Sequence, residues 1–492
     1  MKKNIISLFS LLTILYFATI SCGDNFVDRV APYSLDSENY FNSESDYNQA
    51  LIGAYDLLHS SYVNVLLGEI ASDNTLSGGE SATDVIGFQQ IDDMNHSPIN
   101  ENLKNLWDWM SAGVQRTNYI LEFKDKTDFP NKNQVIAETR FLRAYYRFEL
   151  VKWFGGIPLK GDERFKVGDE KSVPRSSVQA VYANIESDLL FAVANLSPTA
   201  AQSGRATKGA AQALLGKAYL YQNKFVDASN VLESLINSGS YSLVTNYNTI
   251  FEEAGENNLE SVFEIQYSDA QGASFDCLQC SEGNVAVGFS GVRSYAGPFF
   301  TSGFSFNVPT QEVVNVFEVG DNRKNVAILD IQSWAIANNA SFGIGYKHTG
   351  FFNRKYLPRT RSASALGDLN LTNPNNYRAI RYADVLLMAA EAFNRGGIND
   401  AKARLYLNQV RQRAFADNNH NISASGAALT DFIYAERRVE LVGEGHRFFD
   451  LVRTGKAAQE ITNFTASKNE LFPVPIEEIQ FSNGNWQQNT GY

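Results

Sequence analysis

The spacing Cys277-Leu-Gln-Cys280 is the clearest candidate for chemistry in the 492-residue sequence. Two thiols this close can ligate a metal, exchange electrons or form a disulfide. A zinc site needs a second pair of ligands, and the five histidines show no HxxxH-type spacing. A thioredoxin-like site needs a βαβ setting, whereas this pair lies in the Gly/Ser-rich stretch Ser268–Gly303. We expect a short structural disulfide, with no metal and no cofactor.

Motifs of the common catalytic classes are missing from the sequence. It has no GxSxG, no Walker A, no HExxH and no EF-hand loop. Acidic pairs such as Asp92-Asp93 are common on solvated faces, and a sequence does not show the carboxyl separation that a glycosidase needs. His446 beside Arg447 could act as a base, but a structural histidine packed on a helix is the simpler interpretation. The sequence therefore favours a protein that is not an enzyme.

The N-terminus has the pattern of an export signal. Lys2 and Lys3 precede the apolar stretch Ile5–Ala18, which is too short to cross a bilayer. Small residues then lead to Cys22, although Thr19 stands where a lipobox usually has leucine. We expect residues 1–21 to be a lipoprotein signal peptide and Cys22 to carry lipid. The alternative is an ordinary signal peptide with an incidental cysteine.

Composition narrows the class of protein further. The chain is 44% hydrophobic and 20% charged, which is typical of a globular protein. Its net charge of −12 argues against binding along a nucleic acid, because that function needs a basic face. Aromatic residues make up 12% of the chain. Such a surplus suits a protein that stacks rings against a ligand as well as in its core.

Two stretches have the periodicity of helical hairpins. In Arg381–Gly397 the apolar residues follow one helical face, and a second helix is expected at about Ala401–Phe415. Ala206–Gly239 repeats this plan, with small residues that let paired helices approach closely. Hairpins of about 34 residues with this pattern resemble tetratricopeptide (TPR) units. Unrelated amphipathic hairpins are the alternative.

Several segments, in order, resemble the SusD/RagB-like family of outer-membrane nutrient-binding lipoproteins. They are the start of the mature chain at Cys22–Asp28, the helix Trp107–Asn118, Phe141–Leu159, Arg381–Asn394, Arg437–Lys456 and Phe472–Ile479. The last has Val474 where the family usually has isoleucine. The charged residues of these motifs are expected in buried or half-buried ion pairs and caps: Arg381, Asp384, Glu391, Glu440, Arg447 and Asp450.

The resemblance implies a fold and a function. The expected fold is mainly α, a SusD-like α-α superhelix in which TPR-like hairpins pack with a loop-rich half that contains a few short strands. We expect one interleaved domain over 22–492, with hairpins near 206–239 and 381–415 and a ligand-binding insertion at about 240–376. The implied function is non-catalytic capture of oligosaccharides at the cell surface, on the outer membrane, for delivery to a SusC-like TonB-dependent transporter. The alternatives are a membrane-anchored TPR scaffold that binds proteins and a lipid-anchored glycoside hydrolase.

We expect the ligand-binding face to combine three loop zones, Tyr62–Asn100, Ser268–Gly303 and about Trp334–Tyr377. A sugar ring has apolar faces that stack on aromatic rings and hydroxyls that bind polar side chains. The candidate ligand-binding residues supply both kinds of group: Tyr62, Asn64, Asp73, Asn74, Trp107, Trp334, Arg354 and Tyr377.

Overall fold

Helices carry most of the chain in the structure, a computed structural model that describes residues 40–270, 274–359 and 367–492. The predicted signal peptide and Cys22 lie outside the described residues. The N-terminal helices are α1 Glu44–Asp56, α2 Tyr62–Ile70, α3 Ile86–Asp92, α4 Glu101–Glu122, α5 Lys132–Phe154, α6 Val178–Asn195, α7 Lys208–Tyr221 and α8 Phe225–Asn237. The mainly α fold class predicted from the sequence is confirmed.

Shorter helices and strands follow before the chain returns to long helices. The helices are α9 Val285–Ser290, α10 Gln311–Asn315, α11 Lys324–Ala327, α12 Ile331–Asn338, α13 Tyr382–Arg395, α14 Asp400–Phe415, α15 Gly426–Glu440, α16 Arg447–Arg453, α17 Ala457–Glu460 and α18 Ile476–Phe481. The strands are β1 Thr75–Gly78, β2 Ser261–Ile265, β3 Phe306–Pro309, β4 Ile328–Asp330, β5 Phe351–Asn353 and β6 Tyr377–Arg381. Among the described helices, none is long and apolar enough to span a bilayer.

Polar side chains at the helix starts explain where the long helices begin. Asn100 accepts hydrogen bonds from the first backbone N–H groups of α4, and Ser177 and Thr207 do the same for α6 and α7. Ser43 and Asp46 form a capping box at α1. These caps satisfy N–H groups that have no partner within the helix.

Helical hairpins occur at both predicted positions, as α7–α8 and α13–α14. Small residues allow the close packing: a Cβ atom added at Gly216 would lie 2.5 Å from the side chain of Leu232 on α8. Gly113 of α4 likewise lies against the ring of Tyr146 on α5. Helix α13 also packs on α8, so the two hairpins share one hydrophobic core.

The strands form three separate antiparallel pairs, β1–β3, β2–β6 and β4–β5, within the described residues. In β1–β3, Leu76 lies opposite Val308, and in β4–β5, Leu329 lies opposite Phe352. Side chains from these two pairs and from the segments around them form a second apolar cluster under the loop-rich half: Val292, Tyr295, Phe300, Val308, Leu329, Ile331, Phe352 and Leu357. The loops of this half pack on the cluster, which holds them in place.

A buried ion-pair network joins the helices to the strands. Arg381, at the end of β6, donates to Glu444 at 2.8 and 2.7 Å and to Glu440 at 2.9 Å. Glu440 also accepts from Arg413 at 2.6 Å and from Arg323 at 2.9 Å. Burial by itself would raise the pKa of Glu440, but the three guanidinium groups hold that pKa well below its usual range.

The family motifs supply further pairs of this kind. Asp384 lies 2.8 Å from Arg437 and 2.9 Å from Lys217, and Glu391 lies 2.6 Å from Arg453. Asp450 contacts both Arg437 and Arg453. The expectation that the charged motif residues are structural ion pairs is therefore confirmed.

We predict that Glu440→Gln lowers the free energy of unfolding by about 3–5 kcal/mol, because it removes the one carboxylate that three buried guanidinium groups share. Urea unfolding at pH 7 measures this. The depressed pKa means that the contribution of Glu440 is complete above the ordinary glutamate pKa of about 4.3 and is lost as the pH falls. The difference between wild type and variant should therefore narrow in acid.

The matched control is Asp431→Asn, which breaks an exposed ion pair with Lys456 at 3.1 Å. An exposed pair contributes about 1 kcal/mol or less. Equal losses of stability in the two variants would contradict a central role for Glu440.

Candidate functional site

Three segments meet on one face of the loop-rich half: residues 79–93, which include α3, residues 293–305, and residues 334–347, which begin within α12. The Gly79 N–H donates to the Ser305 carbonyl at 2.8 Å, and the Tyr346 N–H donates to the Gly79 carbonyl at 2.8 Å. Ala296 and Ser341 exchange two backbone hydrogen bonds of 2.9 Å. The structure thus brings together one part of each of the three zones that the sequence analysis selected.

Phe299 presents an aromatic ring to solvent on this face. Its side chain is 70% exposed, while the neighbouring Phe300 is buried in the cluster below. The Phe300 N–H donates to the Pro298 carbonyl at 2.9 Å, which places Phe299 at the centre of a γ-turn with φ +70°. This backbone region is costly for a bulky residue, by about 1–3 kcal/mol. Strained backbone of this kind is concentrated at functional sites.

Trp334 of α12 lies beside Phe299. The two ring centroids are 5.8 Å apart at 73°, an edge-to-face contact. The Trp334 indole N–H donates to the Tyr295 hydroxyl at 3.0 Å, and that hydroxyl donates to the Pro298 carbonyl at 2.7 Å. One hydrogen-bonded chain therefore holds the tryptophan and the strained turn together. We call Phe299 and Trp334 the aromatic corner.

Arg354 adds a charged donor to the aromatic corner. Its guanidinium carbon lies 5.4 Å from the centroid of the Trp334 ring, and one of its terminal nitrogens donates to the Asn325 carbonyl at 2.6 Å. Its buried Nε has no hydrogen-bond partner among the described residues. Two aromatic rings with an arginine at their edge can bind a ring that has both an apolar face and hydroxyl groups.

A polar region adjoins the aromatic corner along the same three segments. Lys347 lies 2.7 Å from Asp92 and 3.1 Å from Asp93, and its ammonium group is 5.7 Å from the Tyr346 ring centroid. Arg293 lies 3.5 Å from Glu80 and also reaches Asp84. Side chains that are already fixed by ion pairs can donate hydrogen bonds to a ligand with little further loss of conformational entropy.

Most of the other candidate residues lie in the protein interior. Relative exposures of 4% or less place five of them there: Tyr62, Asn64, Asn74, Trp107 and Tyr377. Tyr62 begins α2, whose sequence Tyr-Val-Asn-Val-Leu-Leu-Gly-Glu-Ile is buried throughout, so the zone expected to start as a loop starts as a core helix. Tyr377 begins β6, which is also buried throughout. These side chains are therefore left out of the binding surface proposed below.

The polar candidates bind protein partners. Asn64 accepts a hydrogen bond from Lys152 at 3.1 Å, and Asn74 accepts one from Arg438 at 2.9 Å. Asp73 accepts two hydrogen bonds from Arg447, at 2.8 and 2.9 Å. Polar groups near the core need such partners, which is why these residue types occur there. Asp73, Asn64 and Asn74 are therefore left out of the proposed surface as well. Of the eight candidate residues, Trp334 and Arg354 remain.

Phe299 was not among the candidates from the sequence. The available signal was the pair Phe299-Phe300 inside the Gly/Ser-rich stretch Ser268–Gly303, where two adjacent aromatic residues have no periodic apolar neighbours. One ring anchors the loop and the other is exposed. The sequence alone does not tell which ring takes which position.

Cys277 and Cys280 form a disulfide, with their Cα atoms 5.3 Å apart. The bridge closes the short turn from Cys277 to Cys280, and Glu282 lies two residues after this turn. The Glu282 carboxylate lies 3.7 Å from Nδ1 of His59, and with Asp56 these residues bring three ligand atoms within 4.8 Å of one another. Among the described residues this is the group that could hold a metal ion. Asp56 is already paired with Arg116 at 2.6 Å.

Comparisons with known proteins agree with this architecture. The model of the SusD family matches residues 331–468, and a model described as starch-binding and associating with the outer membrane matches residues 25–220. A SusD-like protein of Formosa agariphila is 26% identical over the full length of both chains.

Solved structures extend the comparison to the whole fold. A laminarin-binding SusD-like protein is 33% identical, covers 92% of this chain and 100% of its own, and superposes with a TM-score of 0.84. Surface glycan-binding protein A from Bacteroides thetaiotaomicron, solved in complex with laminarihexaose, is 27% identical, with coverage of 91% and 99% and a TM-score of 0.78. From this similarity over nearly the whole length, the chain belongs to the SusD family.

Proposed function

We propose that the protein is a non-catalytic, lipid-anchored glycan-binding protein of the cell surface that captures oligosaccharides for an outer-membrane transporter. The observation that carries this proposal is the aromatic corner, in which Phe299 is exposed in a strained turn beside Trp334. A protein that needed only stability would have glycine at such a position, because glycine adopts positive φ at little cost. The strain is explained if the ring has a ligand to bind.

A sugar ring fits the corner in chemical terms. Its C–H face can stack on the Phe299 ring, while Arg354 and the polar region beyond Tyr346 receive its hydroxyls. Each hydroxyl hydrogen bond contributes only about 1 kcal/mol net, since it replaces one with water. With one or two stacked rings, we expect a dissociation constant between about 1 mM and 1 μM.

The similar proteins suggest which glycan to test first. One relative is described as laminarin-binding, and another was solved with laminarihexaose. We propose an oligosaccharide of the laminarin type as the ligand. Starch oligosaccharides are the comparison, because the starch-binding protein SusD of Bacteroides thetaiotaomicron is 25% identical over 86% of this chain.

A binding role accounts for the charges on this face better than hydrolysis does. A glycoside hydrolase needs one carboxyl group kept protonated as an acid and a second as base or nucleophile. The carboxylates of Asp92 and Asp93 are paired with Lys347, and Glu80 and Asp84 lie near Arg293. We therefore propose no catalytic step.

We predict that Phe299→Ala and Trp334→Ala each weaken laminarihexaose binding at least fivefold, because each removes a stacking surface. Isothermal titration calorimetry measures the affinity, and a reducing-sugar assay on the same samples checks for hydrolysis. Phe432→Ala is the matched control, since Phe432 is an exposed ring on α15, outside the three segments. Affinities within twofold of wild type for both corner variants, across laminarin and starch oligosaccharides, would contradict the proposed surface.

Phe299→Gly separates binding from stability. It should weaken binding as the alanine variant does, yet keep or raise the free energy of unfolding, because glycine relieves the strain at φ +70°. Urea unfolding of the two variants provides the comparison. A glycine variant clearly less stable than the alanine variant would show that the turn is not strained.

We predict that Cys22→Ala releases the exported protein from the membrane fraction. One acyl chain binds a membrane only marginally, so stable anchoring through Cys22 requires more than one chain. Fractionation of cells that lack the partner transporter measures the effect without retention by the partner. A variant that stays with the membrane in those cells would contradict anchoring at Cys22.

We predict that the lipid-anchored protein co-purifies in mild detergent with a SusC-like β-barrel transporter, over which it would act as a lid. Stable association requires a buried interface of about 1,600 Å² or more. Mass spectrometry of the purified material should identify the barrel. Repeated recovery of the protein alone at near-stoichiometric yield would contradict the partnership.

A further inference from the structure

A separate cavity of about 510 Å³ lies in the helical half, between α4, the segment after α5, and α18. Its volume is in the range of pockets that bind small molecules. Most of its lining is apolar, and it includes four aromatic and two branched aliphatic side chains: Trp107, Phe165, Phe481, Trp486, Val114 and Val167. Val167 and Phe481 are exposed at the surface, whereas Trp107 and Trp486 are buried. The cavity shares no residue with the aromatic corner.

Arg147 of α5 brings a buried positive charge to this cavity. The residue is 1% exposed and lines the cavity. Its two terminal nitrogens make long contacts of 3.3 Å, one to Asp188 and one to the Gly161 carbonyl. Its Nε has no hydrogen-bond partner among the described residues. A guanidinium group can donate five hydrogen bonds, so this one is poorly satisfied.

The carboxylate nearest to Arg147 is shared with other cations. Asp188 accepts hydrogen bonds from Arg143 at 2.7 Å, and Arg140 lies 3.4 Å from it. The second carboxylate of the cluster, Asp162, lies 2.8 Å from Arg143 and 3.1 Å from Lys124. Burial, together with the charge of Arg143, lowers the pKa of Arg147 to about 9. Positive charge is therefore in excess beside the cavity.

The other charged groups that line the cavity are mixed in sign. Lys160 and Lys166 contribute positive charge, and Glu170 and Glu478 contribute negative charge. Lys160 is already paired with Asp169, and Glu170 accepts a hydrogen bond from the Gly168 N–H. Burial raises the pKa of Glu478, which favours its neutral form. Lys166 is exposed to solvent, so the buried cation at the cavity is Arg147.

We propose that this cavity binds a small organic anion with an aromatic or branched aliphatic body. The acidic group of the ligand pairs with Arg147, and its apolar body packs against the cavity wall that Trp107 and Trp486 form together. Arg147 contacts its nearest carboxylate only at 3.3 Å, so an anion that bonds directly to the guanidinium group contributes more than its apolar area alone. A neutral oligosaccharide does not fit this pattern, because its hydroxyls would face apolar side chains.

The test uses the exported chain without its signal peptide and the fluorescent probe 8-anilinonaphthalene-1-sulfonate, an aromatic anion. We expect saturable binding of one probe per protein at pH 7. The competitors are 4-phenylbutyrate and its neutral counterpart 4-phenyl-1-butanol. The acid should displace the probe at a concentration at least tenfold lower than the alcohol. Equal potency of the two competitors would overturn the role of Arg147, and a lack of saturable binding would overturn the site.

Three variants test where and how the probe binds. Ala112 is half-buried and lines the cavity, so Ala112→Trp should fill it and reduce probe binding at least tenfold. Ala194→Trp, at an exposed position of α6, is the matched control and should bind as wild type. Arg147→Met should remove the preference for the acid over the alcohol. Circular dichroism and laminarihexaose binding check that each variant is folded. Probe binding that survives in Ala112→Trp would place the probe elsewhere and overturn the proposal.

Discussion

The structure depends on the buried contact between Arg381 and the two glutamates Glu440 and Glu444. Arg381 lies where β6 ends and α13 begins, while the glutamates come from the end of α15 and the loop after it. Buried charges are favourable only when they are fully paired. The ion pairs of Arg381 with Glu440 and Glu444 are therefore stable only when all three segments are in place. Sequence segments more than 50 residues apart are thereby held in one arrangement, which Arg413 and Arg323 extend to α14 and the loop-rich half.

The same network attaches the proposed binding face to the helices. Lys355 follows β5 and donates to Glu444 at 2.7 Å, while Asn353 donates to the Gly443 carbonyl at 2.9 Å. Strand β5 packs on the apolar cluster that carries Phe300 and supports Trp334. A strained residue such as Phe299 persists only when its surroundings determine its conformation. The rigid link between the network and the cluster supplies that condition.

The two binding sites that we propose differ in their chemistry. The aromatic corner is open, is bordered by hydrogen-bonding groups and suits a hydroxylated ring that exchanges easily with water. The cavity beside Arg147 is mostly apolar and contains a charge without a full partner.

The sequence by itself determined the fold class, the helical hairpins and the role of the charged motifs. Helical periodicity and short-range packing are local properties, and Arg381, Asp384 and Glu440 belong to motifs whose order identifies the family. Only the tertiary structure decided which aromatic rings face solvent. Tyr377 and Phe299 are both aromatic residues of the loop-rich region, but strand pairing buries the first, and the turn made by Tyr295 and Pro298 exposes the second. The charge excess at Arg147 likewise exists only because α5 brings three arginines to one aspartate of α6. Exposure and charge balance depend on neighbours that are distant in the chain, and a single sequence does not specify them.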